Sequence, residues 1–317
     1  MPTATHTLSL VIPMYNEASS LPELRCRIDA IRGEIEAELD VVMVNDGSVD
    51  DTLTVATEWC ESDSSVVCID LSRNFGEQAA MSAGLDHATG DFVVIMPADL
   101  QDPPELIPSM FAAAMDGADV VYTRRIGSDE RRIKLALATI FYSLMERLAR
   151  TPFQGQAGDF KLLSRRVVDS ITAMPERRRF VRGMVSYVGF EQVPIDYRRA
   201  DRAAGRGSSY RVMFAMAAEA ITSYSNVPLS LATFIGSTVA VCSVISAVVL
   251  AVLAAVGLLA SSLMLVTLIV VAFLGGVQLI AIGILGTYVA RIHEQTLQRP
   301  LYLVGSIVKR DRDSPAG

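Results

Sequence analysis

Three features of this 317-residue chain predict an α/β domain with a mostly parallel sheet, followed by a two-helix membrane hairpin. Short apolar strands alternate with helical patterns through residues 8–123. Between positions 220 and 290 there is no Asp, Glu, Lys or Arg, and this span holds two apolar runs, 229–260 and 263–290. Each run exceeds the ~20 residues that cross a bilayer as a helix. Charge is partitioned as well: residues 1–123 carry a net charge of −18, residues 124–211 carry +10, and the remainder is close to neutral.

Taken in order, strands are predicted at 8–13, 40–44, 66–71, 92–96 and 119–122. The helix after the first strand is marked by Ser20 and Glu23 as a capping box and by Leu21, Leu24, Ile28, Ile31 and Ile35 at helical spacing. Beyond position 123 the pattern is less regular. It predicts an amphipathic helix over 131–150, a strand at 160–163, a helix at 167–174 and a strand at 193–197. Residues 211–226 read as an interfacial amphipathic helix, 227–290 as two transmembrane helices and 291–317 as a tail. Arg202, Arg206 and Arg211 precede the hairpin and Arg291, Arg299, Lys309, Arg310 and Arg312 follow it, whereas its turn has no basic residue. Both ends are therefore expected in the cytoplasm of a plasma-membrane protein. Cys26, Cys60, Cys68 and Cys242 have no metal or disulfide spacing and read as small buried hydrophobes in a reducing compartment.

In sheets of this kind, ligands sit at the carboxyl ends of the strands. Polar clusters fall there: Tyr15-Asn-Glu17, Asn45-Asp-Gly-Ser48, Arg73-Asn-Phe-Gly76 and the stretch from Asp99 to Asp102. Asp99 and Gln101, two apart on an extended strand end, can point to one side and are the expected ligands of Mg²⁺ or Mn²⁺. Asp102, before Pro103 and three residues before Glu105, reads as a helix cap, and Ser48 with Asp51 as a second capping pair. Asp46 lies earlier in its turn and is freer to meet a base or ribose. The Arg-rich middle segment suits phosphate, because a guanidinium offers a planar fork.

The ordered series Val11-Ile-Pro-Met-Tyr-Asn-Glu17, Val44-Asn-Asp-Gly-Ser-Val-Asp50, Leu71-Ser-Arg-Asn-Phe-Gly76, Ala98-Asp-Leu-Gln-Asp-Pro-Pro104 and Gly158-Asp-Phe160 resembles glycosyltransferase family 2. Within it, the closest resemblance is to the polyisoprenyl-phosphate glycosyltransferases, which include dolichol-phosphate mannose synthases and bacterial undecaprenyl-phosphate glucosyltransferases. The resemblance implies a GT-A fold over 1–210, with a nucleotide-binding half (1–123) and an acceptor half (124–210). It implies inverting, metal-dependent transfer of one sugar, glucose from UDP-glucose first, to a polyisoprenyl phosphate. Mannose, N-acetylhexosamine or aminoarabinose remain open as the sugar. By the family pattern Pro13, Tyr15, Glu17 and Asp46 line the nucleotide pocket, Asp99 and Gln101 hold the metal, and Asp159 is the base or acceptor-orienting carboxylate. Arg124, Arg131 and Arg202 fall to the acceptor phosphate. The expected partners are a nucleotide sugar, the lipid phosphate and the membrane, with a homo-oligomer suggested by short-hairpin relatives and no nucleic acid.

Two departures stand out. Many relatives carry Asp-Ala-Asp where this chain has Pro97-Ala-Asp99, leaving the metal one carboxylate short. Arg202-Ala-Ala-Gly205 is followed by Arg206-Gly-Ser-Ser-Tyr210, without the lysine common in relatives; Arg206 can supply that charge. The base role of Asp159 is also open on physical grounds, since a phosphate monoester with a second pKa near ~6 is already ionised at neutral pH. Two rival readings stand beside transfer to a lipid. In a processive polysaccharide synthase, the required QxxRW motif cannot form around the sole tryptophan, Trp59. A membrane scaffold that lost activity would have no need of Asp99, Gln101 and Asp159.

Overall fold

The computed structural model describes residues 6–125, 157–176, 179–197, 227–256 and 263–310. They fall into an α/β unit and a helical unit, the latter holding the long helices up to position 298. The predicted helix at 131–150 and the interfacial segment 211–226 lie outside the described residues, as do Arg131, Arg202 and Arg206.

The α/β unit is built on one eight-stranded sheet: β1 (His6–Met14), β2 (Ala37–Asn45), β3 (Val66–Leu71), β4 (Phe92–Ile95), β5 (Val120–Arg125), β6 (Ala157–Ser164), β7 (Gln192–Tyr197) and β8 (Val304–Lys309). Their spatial order is β7-β5-β6-β4-β1-β2-β3-β8. Strands β1, β2, β3 and β4 run parallel, as does the β5–β7 pair, while β6 and β8 are antiparallel to their neighbours. Of residues 291–317, expected as a tail, those up to Thr296 continue a helix and Val304–Lys309 form β8, which covers the edge of β3; residues 311–317 lie outside the described residues. Its half-exposed sequence, with Val304 and Ile307 open to solvent, lacks the continuous apolar run that marks an interior strand.

Helices cover both faces. Leu10 and Ile12 of β1 face α1 (Leu21–Ile31), α2 (Thr52–Ser62) and α4 (Ile107–Met115), in one core with Leu24, Ile28, Trp59 and Phe111. Val11, Ile95 and Leu163 face the other way, toward α3 (Glu77–His87), α5 (Arg165–Thr172) and α6 (Val181–Val188). This period-2 alternation gives β1 two buried faces, and each fully buried Leu or Ile contributes roughly 1.5–3 kcal/mol. Helix α3 packs so closely that a Cβ on Gly84 would lie 2.1 Å from Val11 Cγ1.

Several local expectations are corrected. Ser20 is the N-cap residue of α1 but makes no capping bond; its hydroxyl instead donates to the Glu17 carbonyl and carboxylate, at 2.9 and 2.8 Å. The helix stops at Ile31, and Ile35 reaches the core from extended backbone after a 3₁₀ turn. Ser48 and Asp51 make no cap for α2; Asp50 accepts from the Thr52 amide at 3.1 Å instead. Cys60 and Cys68 are buried as expected, but Cys26 and Cys242 are exposed.

The helical unit contains α7 (Val227–Ala255) and α8 (Leu263–Thr296), which lie against each other. Among the described residues one segment, Phe273–Thr296, meets the length and composition of a membrane span, with mean hydropathy 1.8 and none of it buried. Phe234, Val241 and Val248 of α7 and Phe273, Leu279 and Ile280 of α8 are exposed.

Candidate active site

The loops after β1, β2 and β3 are tied into one surface. Asn16 sits in the left-handed region (φ 57°), donates its N–H to Ser48 Oγ at 3.0 Å and accepts from the Val49 amide at 2.9 Å. The Glu17 amide donates to Thr52 Oγ1 at 2.8 Å. At Gly47 (φ +64°) a Cβ would stand 2.5 Å from the Arg73 carbonyl carbon and 2.6 Å from the Asn74 nitrogen, so only glycine allows this approach. Asp46, expected to be free for a ligand, accepts the Phe75 and Gly76 amides at 2.7 and 2.9 Å, one on each carboxylate oxygen. It is a staple for the β3 loop, and what it offers a ligand are the remaining lone pairs of those oxygens.

These loops and the start of α3 form a cavity of about 260 Å³ whose lining includes Pro13, Tyr15, Glu17 and Asp46, the four residues expected at the nucleotide, and Asp99, expected at the metal on the nucleotide's diphosphate. That volume lies just under the ~300 Å³ at the lower end of small-molecule sites and suits part of a nucleotide sugar. Tyr15 is 45% exposed and presents an aromatic face. Burial raises the Asp46 carboxyl above its ordinary range, against the two amide bonds and Arg73. Glu17 is likewise raised, first by burial and then by the charges of Asp99 and Asp50, with the Ser20 hydrogen bond opposing. Such strained carboxylates at a cavity wall mark a place where a cation or hydroxyl donors are favoured.

The path from Asp99 to Gln101 is not extended. Leu100 has φ 57°, and the Gln101 amide turns back to Asp99 Oδ1 at 3.2 Å. Asp99 and Pro97 line the cavity, whereas Gln101 is not among its lining residues. Asp102 is no helix cap: it is buried and accepts the Tyr197 hydroxyl, while Pro103 is the N-cap residue of the following 3₁₀ turn. Among the described residues, no group of three or more His, Cys, Asp or Glu could hold a metal unaided. The chemistry of the donor set nevertheless fits Mg²⁺ or Mn²⁺, which take one or two carboxylates alongside phosphate oxygens and water.

Asp159, on β6, is paired with Arg182 on α6 through contacts of 2.6 and 3.3 Å. The β4–β6 pairing ends at Ile95↔Lys161; Asp159 lies beyond it and is not among the cavity's lining residues, but its charge acts on Glu77, which is. Lys161 shares the face of Asp159, is 2% exposed and forms no ion pair among the described residues. Burial drives its pKa down to about 8, against the attraction of Asp159. Glu77 in the cavity wall is an exposed residue, yet its carboxyl is raised, by desolvation first and then by Asp159 and Asp99, with Arg182 opposing. Sequence reasoning missed Lys161, Arg182 and Glu77. A charge inside the apolar run Phe160-Lys-Leu-Leu163 was the one available signal. Arg124 does not line the cavity; it pairs with Asp196 across β5 and β7 at 2.6 and 3.0 Å.

A doubly wound α/β sheet with a carboxylate-lined cavity at the ends of its parallel strands has its ligand site where sheets of this class place theirs. The model of the family "Glycosyl transferase family 2" matches residues 9–172, and the chain belongs to that family. It is 38% identical to an uncharacterized glycosyltransferase of Synechocystis sp., over 96% of each chain. It is 37% identical to the bactoprenol glucosyl transferase of Shigella phage SfX, covering 94% of this chain and 99% of that one. It is 36% identical to a prophage bactoprenol glucosyl transferase homolog of Escherichia coli, covering 95% and 99%.

Proposed function

We propose that this glycosyltransferase moves a single glucose from UDP-glucose, with inversion, to undecaprenyl phosphate at the cytoplasmic face of the membrane. The observation that carries the reading is the gathering of Pro13, Tyr15, Glu17, Asp46 and Asp99 around one cavity at the strand ends. Glucose and the bactoprenyl lipid are drawn from the names of relatives similar over nearly the whole chain. Exposed apolar side chains along α7 and α8 support a multi-pass hairpin that meets a lipid acceptor, since water-soluble surfaces rarely carry so large an apolar area.

In this reading Tyr15 stacks on the base, while Asp46 and Glu17 receive hydroxyl donors of the nucleoside. Asp99 and Gln101 would hold Mg²⁺ or Mn²⁺, which when bound supplies positive charge to the leaving diphosphate. Arg124, Arg131 and Arg202 meet the acceptor phosphate, Arg124 after release from Asp196. The acceptor oxygen is already ionised near neutral pH. Rate therefore comes from in-line positioning and from neutralising the leaving group.

The test uses membranes containing the full chain, UDP-glucose and undecaprenyl phosphate, assayed for lipid carrying one hexose. Product should form with Mg²⁺ or Mn²⁺, stop on chelation and fall at least a hundredfold in Asp99→Ala. Activity that persists in Asp99→Ala removes Asp99 from the metal site.

A further inference from the structure

We propose that Asp159 acts as a positioning residue for Arg182, and that Arg182, backed by Lys161, receives a phosphate oxygen of a substrate in the transfer site. This rests on the sugar-transfer reading above. Asp159 engages Nε and one terminal nitrogen of Arg182, leaving the other terminal nitrogen with its two N–H donors. The start of α6, which carries Arg182, is tied to α3 as well, because the amide of the preceding Val181 donates to Gln78 Oε1 at 2.9 Å. Asp159 and Arg182 remain 22% and 24% exposed, so the pair is reachable from solvent. Lys161 adds a buried ammonium on the same face of β6. Arg182 and Lys161 both act on Asp159, with the carboxyls of Glu77 and Asp99 near enough to act on the same cluster, and a buried ammonium with no ion-pair partner among the described residues is costly unless an anion arrives.

The consequence for the reaction is that Asp159 moves no proton. The acceptor phosphate oxygen supplies the electron pair for the new bond to the sugar's anomeric carbon. The bond from that carbon to the diphosphate oxygen breaks, and the nucleoside diphosphate leaves with its pair. The phosphate oxygen that Arg182 receives belongs either to the acceptor monoester or to the donor diphosphate, and separate titrations distinguish them.

The experiment measures kcat and the two KM values of the full-length protein, for undecaprenyl phosphate and for UDP-glucose. The variants are Asp159→Asn, Arg182→Gln, Arg182→Lys, Lys161→Met and the double variant Asp159→Asn/Arg182→Gln. Asp159→Asn and Arg182→Gln should each raise one and the same KM by about ten- to a hundredfold, the loss of one charge-assisted hydrogen bond. The double variant should be no worse than Arg182→Gln, because both changes break one unit. Arg182→Lys, which keeps the charge, should recover part of the loss, and Lys161→Met should raise the same KM. If the affected KM is that of undecaprenyl phosphate, the site belongs to the acceptor. If it is that of UDP-glucose, and UDP alone binds more weakly by calorimetry, it belongs to the donor. A fall in kcat confined to Asp159→Asn, with loss of the acid limb of the pH profile and both KM values unmoved, makes Asp159 a base and overturns the proposal. Unchanged KM values in Arg182→Gln and Lys161→Met overturn it as well, and complete loss of activity in both with neither KM of Arg182→Lys moved does the same.

Discussion

Replacing Lys161 by methionine should make the protein more stable while weakening its chemistry. The lysine is buried on β6, and its pKa falls from 10.5 to about 8. A depressed lysine pKa means that the fold binds this proton less tightly than the unfolded chain does. The resulting penalty is fully present below about pH 8 and disappears as pH rises from there to the ordinary value. The difference between the two values corresponds to about 3 kcal/mol at pH 7. Methionine has a similar shape and no charge, and Asp159 keeps Arg182 as its partner, so no orphan carboxylate is created. The assay is urea denaturation of the full-length protein in detergent, followed by fluorescence of Trp59, which is the sole tryptophan and is buried in the α/β unit. Lys161→Met should exceed wild type by about 2–3 kcal/mol at pH 7, with the gap closing between pH 8 and 10.5. A destabilised variant, or a gap that does not change over that range, would show that the ammonium is well solvated in the fold and refute the reasoning.

Gly47→Ala should cost about 1–3 kcal/mol from backbone strain alone, and more from contact with the Arg73 backbone, read in the same denaturation assay together with weakened UDP binding. Tyr15→Ala should weaken UDP binding roughly ten- to a hundredfold in calorimetry, the worth of one base–aromatic stack; an unchanged affinity places the base elsewhere. Pro97→Asp introduces a second carboxylate at the cavity wall and should lower the metal concentration for half-maximal activity several-fold. No change in that concentration would show that the position never faces the metal.

Strands with two buried faces were readable from sequence because continuous apolar runs and period-2 alternation leave no other placement. Strand β3 matches its predicted span of 66–71, and β1, β2 and β4 fall within a few residues of theirs. The half-exposed edge strand β8 was not readable: Val304 and Ile307 gain their meaning only from pairing with β3. Local polar chemistry misled in a consistent way. Ser20, Ser48 and Asp102 each carry the oxygen a helix cap needs, yet other partners claim those groups: Glu17 and Asn45, three residues upstream, take the two serines, and distant Tyr197 takes Asp102. Pro13, Tyr15, Glu17, Asp46 and Asp99 of the cavity wall were legible because they stand at strand ends, whereas Glu77, in the first turn of α3, was not. Arg182 was not, since nothing in the run from Arg177 to Arg182 distinguishes the one guanidinium that meets Asp159.

The most direct measurement is a donor panel. Purified full-length protein in vesicles containing undecaprenyl phosphate is given UDP-glucose, UDP-galactose, UDP-N-acetylglucosamine, GDP-mannose or UDP-aminoarabinose, and the lipid product is weighed by mass spectrometry. The account predicts undecaprenyl phosphate enlarged by a single hexose with UDP-glucose and little product with the rest. A ladder of longer chains, or no lipid-linked sugar with any donor, would contradict it.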